Sequence, residues 1–412
     1  MDAELFDCLQ VNLAEYADHL HGTDTHLLLG ATLRFQPVPV PGRGPGIGEL
    51  PTVERTAREQ LTEAARRLGL VVGEPYPVAG AADITPASGC YVVADAFHLP
   101  WVPYYRQRHM EHSFLVEKGG TGTDGVLVRD SYHNETPWGV ARPGQWKLSR
   151  QEFAAAVPGP ALVADLGAAP GGCVELAPEV DFAAPDAVDA YADAYRQHPD
   201  RAGALERLTL ETWLLARSRK LHAAFLRHTG KLPADEALQE HLAAWDKLTE
   251  QVYLAHRRVE RGRPEPQGLA DRVAALLRAD LRAFGYGGAS GRGASGCGGA
   301  PVPDLAAVPS STSELPSVPV ELRRSVAAAA AQVLGVDPAA LLAGAVFDSL
   351  PSFSSFRVVE IVELLERELG IEFAADDLAP ENLHHVDAVC RVIQRSNDGG
   401  APRALALNGE GR

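Results

Sequence analysis

Cysteine is scarce, positive charge is outnumbered and no long apolar run occurs; each shortage removes a class of function. Five cysteines in 412 residues (Cys8, Cys90, Cys173, Cys297, Cys390) make no disulfide framework, and no pair has zinc-knuckle spacing, so each is weighed as a single thiol. With 38 Lys and Arg against 54 Asp and Glu, the net charge is -16, which argues against a broad electrostatic hold on nucleic-acid phosphates or anionic lipid. Nowhere do about 18 apolar residues run uninterrupted, and the opening MDAELFDCLQ has no basic stretch before an apolar core. Neither a membrane span nor a signal peptide is therefore expected, and the chain is placed in the cytoplasm. There is no Walker loop, no Gly-rich fingerprint after a strand and no cluster of metal ligands, so neither nucleotide chemistry nor a metal is expected.

What is present is an ordinary globular composition, 46% hydrophobic and 22% charged, enough for two or three domains. The clearest boundary is 286–316, where Gly, Ser, Ala and Pro displace every hydrophobic period; it reads as a flexible tether with an end-to-end distance of about 30 Å. A tail, 397–412, reads as unstructured. Residues 1–170 show helices first (Cys8 to His21, then one capped by Thr52 and running to Leu68) and then three β-rich runs, CYVVADAF, HSFLVEK and GVLVRDSY. That order predicts an α+β domain. Residues 171–285 predict about four helices, and 317–396 a small helical bundle with periodic Val326, Val333, Leu334, Ile361, Val362, Leu365 and Leu369.

Cys8 stands at the expected first turn of the first helix, where the positive helix end would lower a thiol's pKa. His112 opens one β run and Asp130 closes the next, so a hairpin would set them side by side. The order Cys, His, Asp suits a nucleophile, its base and the base's orienter. Asp130 has a rival role as cap of the turn at Ser131, and Asp95 is a secondary candidate. His112 is preferred to His109, which is expected in a turn; His222 and His228 have the spacing of a packed helix face, and Cys90, Cys173 and Cys390 read as core filler.

These residues, with FDCLQVNLAEYADHLHG and VVADAFHLPWVPYYRQRHMEH, resemble papain-like peptidases of the bacteriocin-processing type, and more specifically the butirosin biosynthesis protein H family over roughly residues 5–140. The resemblance implies a papain-like cysteine acyltransferase with a helical extension, which takes an acyl group from a carrier protein and passes it to an amine. One departure is plain: papain-like enzymes carry a glutamine shortly before the cysteine as an oxyanion donor, and none precedes Cys8. The hole would be built from the Cys8 backbone N–H and a second donor that the sequence does not name. Loss of one such donor typically costs about 2.7–4 kcal/mol in the barrier.

The segment FDSLPSFSSFRVVEIVELLERELGIEF, with DDLAPENLHHVDAV downstream, resembles the acyl carrier proteins, four-helix bundles whose second helix opens with a serine bearing 4'-phosphopantetheine. Counting from Ser355 puts Phe356, Val359-Glu360 and Gly370 at that family's landmarks; counting from Ser349 puts Pro351 inside the helix, so Ser349 is the fallback. Ser354 stands where the family usually has aspartate. The implied partners are a phosphopantetheinyl transferase, an acyl- or amino-acid-activating (adenylating) enzyme and a small-molecule amine or hydroxyl acceptor, in specialised natural-product metabolism such as nonribosomal peptide assembly. A non-catalytic carrier scaffold and a cysteine hydrolase are the alternatives.

Overall fold

The computed structural model describes residues 1–39, 50–84, 89–118, 125–172, 176–232, 236–286, 318–350, 353, 355–373 and 380–398. Helix and strand are mixed, in two compact units, Met1–Phe284 and Gly285–Arg412. The sheet-bearing segment 1–170 and the helical segment 171–285 both fall within the first unit, apart from its last residue. Nearly all of the tether 286–316 and the tail 397–412, together with Cys173 and Cys297, lie outside the described residues. Among the described residues no helix is long and apolar enough to cross a membrane.

The first helix, α1 (Val11–His21), starts later than the sequence suggested. The Asp7 carboxylate accepts the N–H groups of Leu9 and Gln10 at 2.8 Å each, so Cys8 lies in the turn before the helix rather than in its first turn. Phe6, Val11 and Leu13 are at most 1% exposed, and burying such a side chain contributes about 1.5–3 kcal/mol. Beyond the short strands β1 (Thr32–Phe35), β2 (Val38–Pro39) and β3 (Pro51–Thr52) comes α2 (Ala57–Arg67). Its cap is Thr56 and not Thr52: Thr56 and Glu59 exchange side-chain and backbone hydrogen bonds, whereas the Thr52 hydroxyl donates to Glu211.

Then follow β4 (Leu70–Val72), β5 (Tyr76–Val78), β6 (Cys90–Asp95), β7 (Glu111–Lys118), β8 (Val126–Asp130), β9 (Asn134–Thr136), β10 (Gly139–Ala141), β11 (Gly144–Leu148), α3 (Arg150–Ala156), β12 (Ala161–Ala168) and β13 (Glu179–Phe182). Seven of these strands form an antiparallel sheet in the order β11-β8-β7-β6-β12-β4, with β5 also on β12. The three β-rich runs of the sequence are neighbours within it. Leu115 pairs with Arg129, and no described β7–β8 pairing continues beyond that rung toward Glu111. The α1 segment docks in the resulting gap.

Four helices complete the unit: α4 (Pro185–Gln197), α5 (Arg201–His228), α6 (Glu236–Glu260) and α7 (Leu269–Ala283). Their core centres on Trp245, Tyr191, Leu205 and Leu277. Gly30 lets the turn Thr25–Ala31 touch α5 backbone to backbone; a Cβ there would lie 2.4 Å from the Leu221 carbonyl oxygen. The second unit holds α8 (Val320–Leu334), α9 (Pro338–Leu342), α10 (Ser355–Leu369), α11 (Pro380–Leu383) and α12 (Val386–Asp398), with Val326, Leu365, Val389 and Ile393 buried between them.

Candidate active site

His112 on β7 and Asp130 at the end of β8 meet: His112 Nε2 lies 2.7 Å from Asp130 Oδ2, both residues 3% exposed or less. A carboxylate only accepts, so Nε2 carries the proton and Nδ1 holds the lone pair. That Nδ1 is buried and has no hydrogen-bond partner among the described residues. The Cys8 thiol donates to the Glu111 carbonyl at 3.5 Å, which places the sulfur on the backbone step just before His112. Sequence order thus becomes spatial order, with thiol, imidazole and carboxylate gathered at one end of β7.

Asn12, which the sequence reading passed over, holds the arrangement together. Its Nδ2 donates to the Ser113 carbonyl at 2.9 Å and its Oδ1 accepts the Ser131 N–H at 2.9 Å. Extending the β7–β8 register past Leu115 and Arg129 sets residues 113 and 131 opposite each other, so the Asn12 amide stands in for a backbone rung. Asp130 also accepts from Trp101 Nε1 at 3.1 Å and from the Tyr132 N–H at 3.0 Å. It therefore caps the turn and orients the histidine at once, the two roles that had seemed alternatives. A buried asparagine on an otherwise apolar helix face was the signal available for Asn12.

The electrostatics correct one expectation. Burial pushes the Cys8 thiol well above its ordinary range, and the charges of Asp7, Asp130 and Glu54 push the same way against its own backbone N–H. Burial likewise raises Asp7 to about 6 despite its hydrogen bonds from Gln10 and Leu9. The Leu9 and Gln10 N–H groups that follow Cys8 are spent on Asp7, whose carboxylate brings negative charge toward the sulfur, and burial favours the neutral thiol.

Other candidates settle elsewhere. Asp95 pairs with His109 at 2.6 Å, an imidazole that is 70% exposed and stacked on Phe97. His222 Nδ1 bonds the Gly30 carbonyl at 2.7 Å and burial pushes it down to about 4, while His228 is exposed. Cys90 and Cys390 are buried, their thiols raised to about 12 by desolvation. In the second unit α10 begins at Ser355; its first turn holds no acidic residue and includes Arg357. The lack of like charge in that first turn suits a phosphodiester at the helix start. Ser349 lies in a three-residue turn with its hydroxyl donated to the Val346 carbonyl at 2.7 Å. No protein-family model matches the chain, and no curated protein matches it.

Proposed function

We propose that the chain is a papain-like cysteine acyltransferase joined to an acyl or peptidyl carrier bundle, moving a carrier-bound acyl or aminoacyl thioester through Cys8 to an amine or hydroxyl acceptor. The observation that carries this reading is His112, with one nitrogen committed to Asp130 and the other unpartnered on the strand that receives the Cys8 thiol. 4'-Phosphopantetheine at Ser355 supplies the thiol that holds the acyl group. His112 Nδ1 takes the Cys8 proton as the sulfur leaves the Glu111 carbonyl and attacks, since the resting group is a thiol. The proton goes to the departing thiolate. The same nitrogen then accepts a proton from the acceptor as it attacks acyl-Cys8, while Asp130 holds ring and tautomer. Thioester-to-thioester exchange is nearly balanced and amide formation runs downhill.

Intact-protein mass spectrometry of the full chain, loaded with a model acyl group by a phosphopantetheinyl transferase, tests this. The acyl mass is expected to leave on addition of an amine, and Cys8→Ala is expected to abolish that loss; loss that survives the substitution overturns the reading. Loss to water alone marks a hydrolase, and no loss in the wild type a scaffold. Ser355→Ala is expected to abolish loading, and loading abolished only by Ser349→Ala moves the arm to the fallback serine.

A further inference from the structure

The Cys8 site as read above has one named oxyanion donor, the Cys8 N–H, and no glutamine stands among residues 1–7. A one-way chain of hydrogen bonds ends beside it. Arg217 Nη2 donates to Asn134 Oδ1 at 2.9 Å. A guanidinium cannot accept, so this contact fixes which end of the Asn134 amide is oxygen. Asn134 Nδ2 then donates to the Tyr104 hydroxyl oxygen at 3.3 Å. The Tyr104 hydroxyl lies 3.4 Å from that of Tyr132. Tyr104 already accepts from a donor-only group, so its proton finds a described partner only in Tyr132. Donation the other way would orphan that proton in a residue 7% exposed, a costly outcome in a buried site. The Tyr132 proton is thereby left unspent among the described residues.

Its place is set by the site itself. The Tyr132 ring stands edge-on to the His112 ring, centroids 5.2 Å apart, and its backbone N–H is held by Asp130. Arg217 Nη1 meanwhile donates to the Phe6 carbonyl, two residues before Cys8, so the chain's positive end and the nucleophile's turn share one anchor.

We propose that Tyr132 is a catalytic residue whose hydroxyl is the second oxyanion donor, pre-aimed by the chain Arg217, Asn134, Tyr104. When the Cys8 sulfur bonds to the thioester carbon, the carbonyl electron pair moves onto oxygen. The Tyr132 O–H donates a hydrogen bond to that oxygen without giving up its proton. The pair returns as the other C–S bond breaks, and the departing thiolate takes the proton held by His112. In a dry site such a donor is worth far more than in water.

The inference rests on the acyltransferase reading, and the test separates the two. Single-turnover acylation of the full chain by an acyl N-acetylcysteamine thioester is followed by intact mass, beside alkylation of Cys8 by iodoacetamide, a displacement that builds no oxyanion. In Tyr132→Phe acylation is expected to fall about 10²-fold or more with alkylation within about twofold of wild type. Tyr104→Phe, which removes the hydroxyl that links Asn134 to Tyr132 and leaves Tyr132 in place, is expected to slow acylation several-fold with alkylation unchanged, and it decides the matter if Tyr132→Phe does not fold. Unchanged acylation, or acylation and alkylation falling together in the folded variant, overturns the tyrosine while leaving the acyltransferase reading standing. Absence of Cys8 acylation in the wild type overturns both.

Discussion

The first unit contains the same grouping twice, with opposite outcomes. Asp130 accepts from a histidine at 2.7 Å and a tryptophan Nε1 at 3.1 Å; Asp280 accepts from His241 at 2.8 Å and from Trp245 Nε1 at 3.1 Å. What separates them is Arg219, wholly buried, whose guanidinium closes on Asp280 while Nη1 also bonds the Arg34 carbonyl. At Asp280 the negative charge is neutralised in place and the cluster pins α5, α6 and α7 together. At Asp130 no arginine intervenes among the described contacts, and the imidazole keeps a nitrogen without a described partner on the strand whose Glu111 carbonyl receives the Cys8 thiol. An acid–histidine pair is therefore not evidence of chemistry by itself; the unspent valence is.

Substitution separates the two clusters most sharply. Asp130→Asn is expected to slow Cys8 acylation by about 10³–10⁴-fold, because an amide in that place disfavours the tautomer that leaves Nδ1 basic; single-turnover mass spectrometry reads it. Asp280→Asn is expected to do the reverse, leaving acylation within a few-fold but lowering the denaturant-derived stability by about 3–5 kcal/mol, since Arg219 loses its counter-charge in a dry interior. Equal effects of the two on acylation would erase the distinction.

Two smaller effects sharpen it. The rate of Cys8 alkylation is expected to keep climbing beyond pH 9, and Asp7→Asn to move that rise to lower pH by removing a neighbouring negative charge; a plateau near neutrality would restore the resting ion pair. Asp7 also leaves a mark on stability. Its folded pKa of about 6 exceeds the ordinary 3.8, so the folded chain holds the proton more tightly and stability falls as pH rises through that interval. Asp7→Asn is expected to flatten that fall, as melting temperatures at either end of the interval would record.

Residue types and their order sufficed to expect His112 and Asp130 side by side with Cys8 at the same end of the sheet, because antiparallel neighbours bring a strand's start near its partner's end. The three β runs and the helices of 171–285 were legible for the same local reasons, period and composition. The start of α1 was not, because Asp7 captured N–H groups that propensity assigns to the helix, and a similar competition moved the α2 cap from Thr52 to Thr56. Asn12, Tyr104, Tyr132, Asn134 and Arg217 were invisible as a group. Their meaning lies in contacts spanning up to 214 positions, between Arg217 and Ala3.

The bare α-carbon at Gly30 has a long reach. Because that turn and the Leu221 carbonyl meet with no room for a methyl group, the spacing of the two main chains is fixed there, one helical turn beyond Arg217 on the same rod. A methyl group there would have to push the two main chains apart, on the same helix whose Arg217 holds the Phe6 carbonyl, so the seat of Cys8 is gauged by a position that carries no functional group at all.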